Sequence, residues 1–382
     1  MKQKVTFELL QPLMCGGIRV ADNFLESESF IRGSVLRAAF ANSILLECPL
    51  AGEKTEDGKY HYVTLKDPAG RCKDCPHHDI CEKFSDMTFS YAYPENSIPA
   101  PFTSKMCKKC GTEHPVKDIL VKDAGLTCNL HGNNTADSRM ENLKGLINME
   151  GEAVKKVKVR MTLSTHTAIN YHSHTADDGS LYSIKAIRKG QRFTAVIDDC
   201  GTDMLHIDDV VYTGKYSSCG FGKMKITDMQ PVSEIYDEEI SERIRAFNER
   251  FSTQNMVSVL FLSDAFTTES MTVDKVLTNE EYQQYWTRIL FGEGALPFSL
   301  KKIFTEVQLY GGYDTARSWR NWKKDPEQML CKGTSLLLQV NEGCMKEAVA
   351  LLTALQKRGI GKQTEDGFGQ IEICHPIHCM GV

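Results

Sequence analysis

One segment of the chain holds cysteines and a histidine at the spacing of metal ligands. Cys107 and Cys110 are separated by two residues, as are Cys128 and His131, and a polar stretch joins the two pairs. Thiolates and an imidazole presented by two short turns form a tetrahedral Cys3His zinc site. Because the joining stretch is too polar to build its own core, bound metal would supply its folding free energy. We therefore predict zinc here, with His114 as the competing fourth ligand.

A second cluster of cysteines lies upstream of the first. It contains Cys72, Cys75 and Cys81, and Cys48 at the end of a predicted helix is the best candidate for its fourth ligand. Four thiolates hold either zinc or an iron–sulfur cluster, and zinc is the preferred prediction. The chain has 14 cysteines, and a reducing cytosol favours metal ligation over disulfides for closely spaced ones. One structural zinc is expected in the first cluster, and a second metal is an open alternative for this one.

Two loops repeat the pattern Gly-Lys-x4-Gly-Phe-Gly. Glycines tolerate positive φ and let another backbone approach closely, so successive amides beside a lysine can hold an anion such as an RNA phosphate. The phenylalanine would either stack on a base or anchor the loop in the core. A tight turn is the structural alternative, although the repetition favours binding. The first loop contains Gly214, Lys215, Tyr216, Ser217, Ser218, Gly220, Phe221 and Gly222, followed by Lys223, and the second contains Gly361, Lys362, Gly367, Phe368 and Gly369.

The two loops differ in charge. The second also carries Glu365 and Asp366, which repel phosphate, so the first loop is expected to dominate RNA binding. The acids of the second loop would instead meet a protein partner or pair with a local lysine or arginine. In neither loop does serine or threonine follow the Gly-Lys pair, which excludes a P-loop nucleotidase.

The sequence flanking each loop repeats as well. Alternating apolar residues at 191–197 and 334–340 predict strands, and amphipathic patterns follow at 203–212 and 345–355. Each copy therefore reads strand, helix, glycine loop, strand, which is the second half of a βαββαβ unit. We predict an α+β fold of two tandem ferredoxin-like (RRM-like) domains at 1–232 and 257–382, a linker at 233–256, and a cysteine-rich zinc-binding insertion at 47–150.

Basic residues elsewhere extend the predicted RNA surface. Arg32, Ser34 and Arg37 surround the start of a predicted helix, and a helix N-terminus binds anions. A capped core helix with solvated arginines is the alternative there. In addition, residues 317–324 interleave tryptophan with arginine and lysine, which suits single-stranded RNA or a partner protein.

A basic strand is predicted at residues 154–163. Its apolar residues alternate with Lys156, Lys158 and Arg160, so one face would be apolar and the other basic. A solvated face is the structural alternative, and RNA contact gains weight beside a phosphate-binding loop.

Composition describes a globular chain of 382 residues with a net charge of -5. Any nucleic-acid surface must therefore be a local basic patch on an acidic molecule. The sequence has no apolar run long enough to span a membrane and no signal-peptide core at its start, so we expect a cytoplasmic protein without a membrane partner.

The chain resembles the RAMP superfamily of CRISPR effector subunits over nearly its whole length. Residues 30–37 are similar to the Ile-Pro-Gly-Ser-Ser-Leu-Arg/Lys-Gly motif at the start of that superfamily's first helix, with Arg32 where proline is usual. Tandem ferredoxin-like domains with C-terminal Gly-Phe-Gly loops resemble the same superfamily. Residues 166–168, 179–182 and 319–333 resemble the large type III-D subunit, the Csx-ten family, which has the Cas-five role.

This resemblance implies a noncatalytic subunit that holds the repeat-derived 5′ handle of crRNA and caps a filament of backbone RAMP subunits. The implied partners are crRNA, those backbone subunits, the large polymerase-like subunit, and target RNA in the assembled complex. One alternative is a RAMP endoribonuclease that processes precursor crRNA, with His166 or His174 as general base. Another is a target-cleaving backbone subunit that uses the aspartate pair at 198–199 or at 208–209.

Overall fold

The computed structural model describes residues 1–21, 23–53, 63, 70–113, 115–122, 127–128, 139–169, 172–267, 269, 277–311 and 324–380. Within these residues, no helix has the length and apolar character needed to cross a membrane. The helices are α1 (Gly33–Glu47), α2 (His78–Lys83), α3 (Asp237–Phe251), α4 (Asn279–Phe291) and α5 (Met345–Arg358). The strands are β1 (Lys2–Leu9), β2 (Ile18–Ala21), β3 (Phe24–Glu26), β4 (Thr88–Phe89), β5 (Tyr93–Pro94), β6 (Ile98–Pro99), β7 (Ser104–Cys107), β8 (Lys117–Asp118), β9 (Met140–Asn142), β10 (Leu146–Glu150), β11 (Ala153–Val157), β12 (Met161–Ile169), β13 (Ala176–Ile187), β14 (Arg192–Asp198), β15 (Val210–Tyr212), β16 (Lys223–Pro231), β17 (Met256–Phe261), β18 (Ala265–Phe266), β19 (Phe298–Phe304), β20 (Val307–Tyr310), β21 (Glu327–Leu330), β22 (Ser335–Val340) and β23 (Ile371–Ile373).

The N-terminal unit is a sheet with β1 at its centre. Strand β1 pairs antiparallel with β14 and β16, and the sheet order is β15-β16-β1-β14-β4, with β5 also paired to β14. Helix α1 covers one face because Leu36, Phe40 and Ile44 recur on one side of it and are all buried. The ring centroid of Phe40 lies 6.4 Å from that of Phe7 on β1 and 5.8 Å from that of Phe89 on β4.

The C-terminal unit contains all six elements of a βαββαβ unit. Its antiparallel sheet has the order β19-β22-β17-β23, with α4 between β17 and β19 and α5 between β22 and β23. Thr278 begins α4 with a capping box to Glu281, which satisfies the first free amides of the helix. Residues 233–256, predicted as the linker, contain α3, whose apolar side chains Ile240, Ile244, Phe247 and Phe251 are part of this unit's core.

The connection that follows β14 is the main departure from the predicted repeat. The pattern at 203–212 predicts a helix, and this prediction is wrong, because the segment forms turns followed by β15. The carboxylate of Asp209 accepts a hydrogen bond from the amide of His206 at 3.0 Å, and Asp208 has a φ of 76°. Short acidic side chains that bond nearby backbone compete with a helix, and a left-handed residue interrupts one.

The predicted insertion contacts both units. Its β4 and β5 pair with β14 of the N-terminal sheet, whereas Met106 and Ile147, from its sheet β8-β7-β9 and its strand β10, share a core cluster with Leu260 and Ile377. The strand predicted at 154–163 is divided between two sheets, since β11 and β12 belong to different ones. The basic residues of that stretch therefore lie where the chain passes from one sheet to the other.

A buried ion cluster joins the two units. The side chain of Asp264 has no exposed surface, and one of its oxygens accepts a hydrogen bond from the Arg32 guanidinium at 2.9 Å. The Tyr91 hydroxyl donates to the same oxygen at 3.2 Å, and the other carboxylate oxygen accepts a hydrogen bond from the amide of Lys332 at 2.9 Å. Arg32 also binds Glu28 at 2.6 Å. Burying a carboxylate is costly unless it is paired and hydrogen-bonded, so this set holds the units in one arrangement.

Removing one partner of this cluster should destabilise the fold strongly. We expect Arg32→Met to lower the free energy of unfolding by about 3–5 kcal/mol, because buried Asp264 would lose its nearer counter-charge and keep only the Lys332 ammonium at 3.8 Å. Chemical denaturation measures the loss. The control is Arg245→Met, which removes an exposed arginine next to Glu242 and should change stability by about 0–1 kcal/mol. Equal effects of the two changes would show that the cluster does not hold the units together.

Candidate metal centre and nucleic-acid interface

The two glycine loops have the same backbone conformation. Each has a short 3-10 turn, at Ser217–Cys219 and at Thr364–Asp366, between left-handed residues. A Cβ on Gly214 would lie 2.4 Å from the carbonyl oxygen of Met14, and one on Gly361 would lie 1.9 Å from that of Phe266, so only glycine fits either place. The residues with positive φ correspond one to one: Gly214, Tyr216, Gly220 and Gly222 in the first loop, and Gly361, Gln363, Gly367 and Gly369 in the second.

The loops are closed by their own hydrogen bonds. In the first loop, the amide of Lys215 donates to Met14, the amide of Cys219 to Tyr216 and the amide of Gly222 to Pro12, at 2.8–2.9 Å. These three amides are therefore not available to an anion. The side chains of Lys215, Ser217 and Ser218 are exposed and can contact one.

The phenylalanines of the two loops are core anchors. Phe221 is 5 % exposed and Phe368 is fully buried, so neither presents a ring to a base. Of the two roles considered for these phenylalanines, base stacking and anchoring the loop in the core, the structure shows anchoring.

The second glycine loop is covered by the N-terminal unit. A Cβ on Gly367 would lie 2.3 Å from the carbonyl oxygen of Phe89, and one on Gly33 would lie equally close to that of Asp366. Asp366 also pairs with Arg37 at 3.2 Å. Burial raises the pKa of Asp366, although Arg37 acts in the opposite direction. Asp366 of the second loop therefore pairs with an arginine of the same chain, which was one of the two alternatives for the acids of this loop.

The start of α1 is consequently an internal contact. Arg32, predicted to contact RNA, is buried and engaged by Glu28 and Asp264, and Arg37 donates to Asp366 and to the carbonyl oxygen of Phe84. Burial lowers the pKa of Arg32, but its anionic neighbours outweigh burial and raise it, so the guanidinium stays charged. We assign both arginines to the fold, and Ser34 lies in the same half-buried first turn of α1.

The first glycine loop lies beside a column of aromatic rings. The His166 and Tyr182 rings of the hairpin β12–β13 stack at 5.4 Å, and Tyr182 and Tyr216 stack at 6.4 Å. The ring centroid of Phe221 lies 6.2 Å from that of Tyr216. Sequence reasoning missed this column, because its members come from three distant segments and no local pattern links them.

Basic residues lie on neighbouring segments next to this loop. The amide of Arg188 donates to the carbonyl oxygen of Arg160 at 2.8 Å, and the Gln191 side chain bridges the two carbonyl oxygens. Backbone bridges from Leu13 to Ile187 and from Met14 to Lys215 then connect this corner to the loop. We define the basic strip as Lys156, Lys158, Arg160, Arg188, Lys189, Arg192, Lys215 and Lys223.

The cations of the basic strip are largely free of counter-charges. Across the part of the chain that the structure describes, only Arg192 of the eight has a carboxylate within 4.0 Å, which is that of Glu95 at 3.5 Å. Sequence analysis missed Arg188, Lys189 and Arg192. The sequence feature that could have identified them is the basic turn Arg188-Lys189-Gly190 between two strands.

Three predicted metal ligands converge. The Sγ atoms of Cys107, Cys110 and Cys128 lie within 4.8 Å of one another, and in a tetrahedral site with zinc–sulfur bonds near 2.3 Å the sulfurs are about 3.8 Å apart. The amide of Cys110 lowers the pKa of Cys107, with a smaller contribution from Lys109, while burial opposes them. Burial and the neighbouring thiols raise the pKa of Cys110 to about 11.

This trio fits one face of a tetrahedral metal site. Its thiols suit zinc, which would stabilise the end of β7 by tying it to the segment before β9. The proposed fourth ligand, His131, and its competitor His114 lie outside the described residues.

The sulfurs of the second set of cysteines, Cys48, Cys72, Cys75 and Cys81, lie farther apart than those of the trio. Burial and the neighbouring Cys75, Cys48 and Cys72 raise the pKa of Cys81 to about 11, so the four thiols share one neighbourhood. Among the residues that can be described, their sulfurs do not form a group within 4.8 Å. A metal at this set stays a prediction.

The residues considered for catalysis are dispersed. Nε2 of His166 lies 2.9 Å from the Ser164 hydroxyl, while Asp199 is buried and pairs with the N-terminal amine at 2.9 Å. Asp208 pairs with Lys225 at 2.6 Å. These partners give the two aspartates structural roles in turns. The tryptophans predicted to bind RNA at 317–324 lie at positions outside the described residues.

Comparison with known proteins gives weak likenesses. No protein-family model and no curated protein matches the chain. Two solved type III-B Cmr-beta complexes bound to cognate target RNA, one of them also with AMPPnP, contain chains similar to this one at 12% identity and a TM-score of 0.42. These alignments cover 92% and 87% of this chain and 88% and 86% of those chains. A Cas6 product complex is similar at 12% identity and a TM-score of 0.26, over 49% of this chain and 78% of that one.

The cysteine trio can be tested by metal content. Elemental analysis of the purified protein should find at least one zinc per chain, and Cys110→Ser should lose it because the site would keep too few thiolates. Cys219→Ser, which changes an exposed cysteine of the first glycine loop, should retain the metal. Full zinc retention in Cys110→Ser would refute the site, and a wild-type stoichiometry near two would support metal at the second set.

Proposed function

We propose that the protein is a noncatalytic RNA-binding subunit of a type III CRISPR effector complex and that the basic strip holds crRNA. The observation that carries RNA binding is the strip itself, in which seven of eight exposed or half-exposed cations have no carboxylate partner among the described residues. Phosphates bind unpaired lysine and arginine side chains and release counterions. On a chain of net charge -5, a local surface of this kind selects a polyanion.

The column beside the strip adds a way to contact bases. Tyr216 and the hairpin residues His166 and Tyr182 are half-buried rings close to Lys215 in the chain or the fold. Aromatic stacking with flanking cations is how proteins hold single-stranded RNA. The first glycine loop is exposed, whereas Asp366 and Gly367 of the second pack against the N-terminal unit and only its start is exposed, so we place the RNA on the first loop.

The finer assignment follows from the resemblance of the start of α1 and of the paired Gly-Phe-Gly loops to RAMP subunits. On this basis the subunit belongs to a type III-D complex, binds the 5′ handle of crRNA and caps the filament. Its partners are then the backbone subunits, the large polymerase-like subunit and target RNA. We assign zinc at the cysteine trio a structural role, because all three described ligands are thiols, as in structural zinc sites.

Charge removal from the first loop should weaken RNA binding more than charge removal from the second. The double change Lys215→Ala and Lys223→Ala should reduce affinity for a single-stranded crRNA and lower the slope of log affinity against log salt by roughly 1 to 2. Lys362→Ala is the matched control at the corresponding position of the covered loop, and it should have a smaller effect. Filter binding at several salt concentrations measures both quantities. The reverse order would place the RNA on the C-terminal unit.

The noncatalytic role predicts that two histidines are dispensable. His166→Ala and His174→Ala should each leave crRNA maturation and target cleavage by the assembled complex within a few-fold of the wild-type rate. Loss of a general base would instead cost roughly a hundredfold or more. Such a loss with intact assembly would favour the endoribonuclease.

A further inference from the structure

The hairpin β12–β13 projects from the N-terminal unit. Strand β3 pairs with β13 only at residues 183–185, so the outer part of β13 has β12 as its one strand partner among the described residues. No residue of β12 whose burial is described is buried, whereas Ile184 and Ala186 at the base of β13 are. A two-stranded ribbon with little core packing is marginally stable by itself. The outer hairpin therefore lacks the support that a further strand would give it.

Strand β12 is a free edge of its sheet. The sheet order is β12-β13-β3-β2, and no strand of the described part of the chain lies on the other side of β12. Such an edge presents a row of backbone N–H and C=O groups with which another strand can pair. The ladder with β13 is regular from Met161 to Thr167, and a bulge follows between Thr167 and Ile169. The regular edge is therefore at least as long as a typical strand, about 5–6 residues.

This edge lacks the features that usually prevent strand pairing. Proteins protect exposed edges with charged side chains, prolines or bulges. The regular part of β12 contains no lysine, arginine, aspartate, glutamate or proline. On one face of the hairpin, Leu163 is 61 % and Leu181 is 56 % exposed, and Thr165 and Thr167 are exposed between them. An uncharged, partly aliphatic edge of this kind favours pairing with another chain.

Charge determines which orientation of a second copy would fit. Lys158 and Arg160 lie just before β12. In a parallel pair of β12 strands, each of these cations would lie beside its own counterpart and repel it. In an antiparallel pair centred on Thr165, the two Arg160 residues lie about ten positions apart, roughly 34 Å at about 3.4 Å per residue. This separation exceeds the screening length of about 8–10 Å, so antiparallel pairing brings no repulsion.

The strand is complementary to itself in this antiparallel register. Thr165 lies opposite its own counterpart on the two-fold axis, and Leu163 of each copy lies opposite Thr167 of the other. Threonine pairs, and aliphatic side chains beside β-branched ones, stabilise neighbouring strands. One register therefore satisfies both copies at once, as a two-fold symmetric interface requires.

We propose that two copies of the protein associate through β12, with the two strand edges paired antiparallel about Thr165. The two four-stranded sheets then become one sheet of eight strands. Dimers with two-fold symmetry are the commonest protein oligomers. This association goes beyond the proposed RNA-binding function and does not depend on it.

Sedimentation equilibrium of the full-length, nuclease-treated protein tests the association. Between about 1 and 100 μM, the average mass should rise from 42.9 kDa toward twice that value. Leu163→Lys combined with Thr165→Lys should weaken dimerisation roughly tenfold or more, because like charges would meet across the axis. Both side chains are exposed, so the fold should tolerate the change. The matched control is Leu309→Lys, which changes a 70 % exposed side chain on the edge strand β20 and should leave dimerisation unchanged.

A complementary pair of variants tests the register. Thr165→Lys and Thr165→Glu should each dimerise more weakly than the wild type. An equimolar mixture of the two should dimerise more strongly than either alone, because opposite charges then face each other at the axis.

Three results would overturn the proposal. A constant mass of 42.9 kDa up to about 100 μM would leave this edge to a strand of a different protein. Unchanged association in the double variant, or equal loss in Leu309→Lys, would place the contact elsewhere. A mixture of Thr165→Lys and Thr165→Glu that associates no more strongly than its components would exclude the two-fold register.

Discussion

The buried carboxylate of Asp264 is the constraint on which the arrangement of the two units depends. It belongs to the C-terminal unit, yet its guanidinium and hydroxyl partners, Arg32 and Tyr91, come from the N-terminal unit. A carboxylate without exposed surface must keep these partners, so the start of α1 lies against the segment after β17. The second glycine loop packs on the same helix start, where Asp366 meets Arg37.

This packing gives two similar loops different surroundings. The second loop has become an internal contact, with an acid that satisfies an arginine of the other unit. The first loop has the same backbone conformation but faces solvent, with Tyr216 stacked on the hairpin and Lys215 continuous with the basic strip. The two units also differ between the strand and the glycine loop, because the acids at 203, 208 and 209 favour turns over a helix.

Sequence patterns predicted features that depend on local spacing. Three of the four ligands proposed for the first zinc site converge, and the Gly-Lys-x4-Gly-Phe-Gly repeat does form two equivalent loops. Long-range packing was not predictable, because nothing next to Arg32 indicates that Asp264, 232 positions away, would bury it. For the same reason three of the eight residues of the basic strip were not predicted: Lys158 and Arg160 stood out by alternation, whereas Arg188 and Arg192 join them only through the folded chain.

Photo-crosslinking of RNA to the protein tests the central claim most directly. A crRNA carrying 4-thiouridine, bound to the full-length chain, irradiated and analysed by mass spectrometry, should give adducts within 156–160, 188–192 and 215–223. The account predicts few adducts on 361–369, because the N-terminal unit covers that loop. Adducts concentrated on 361–369, with none on the basic strip, would contradict it.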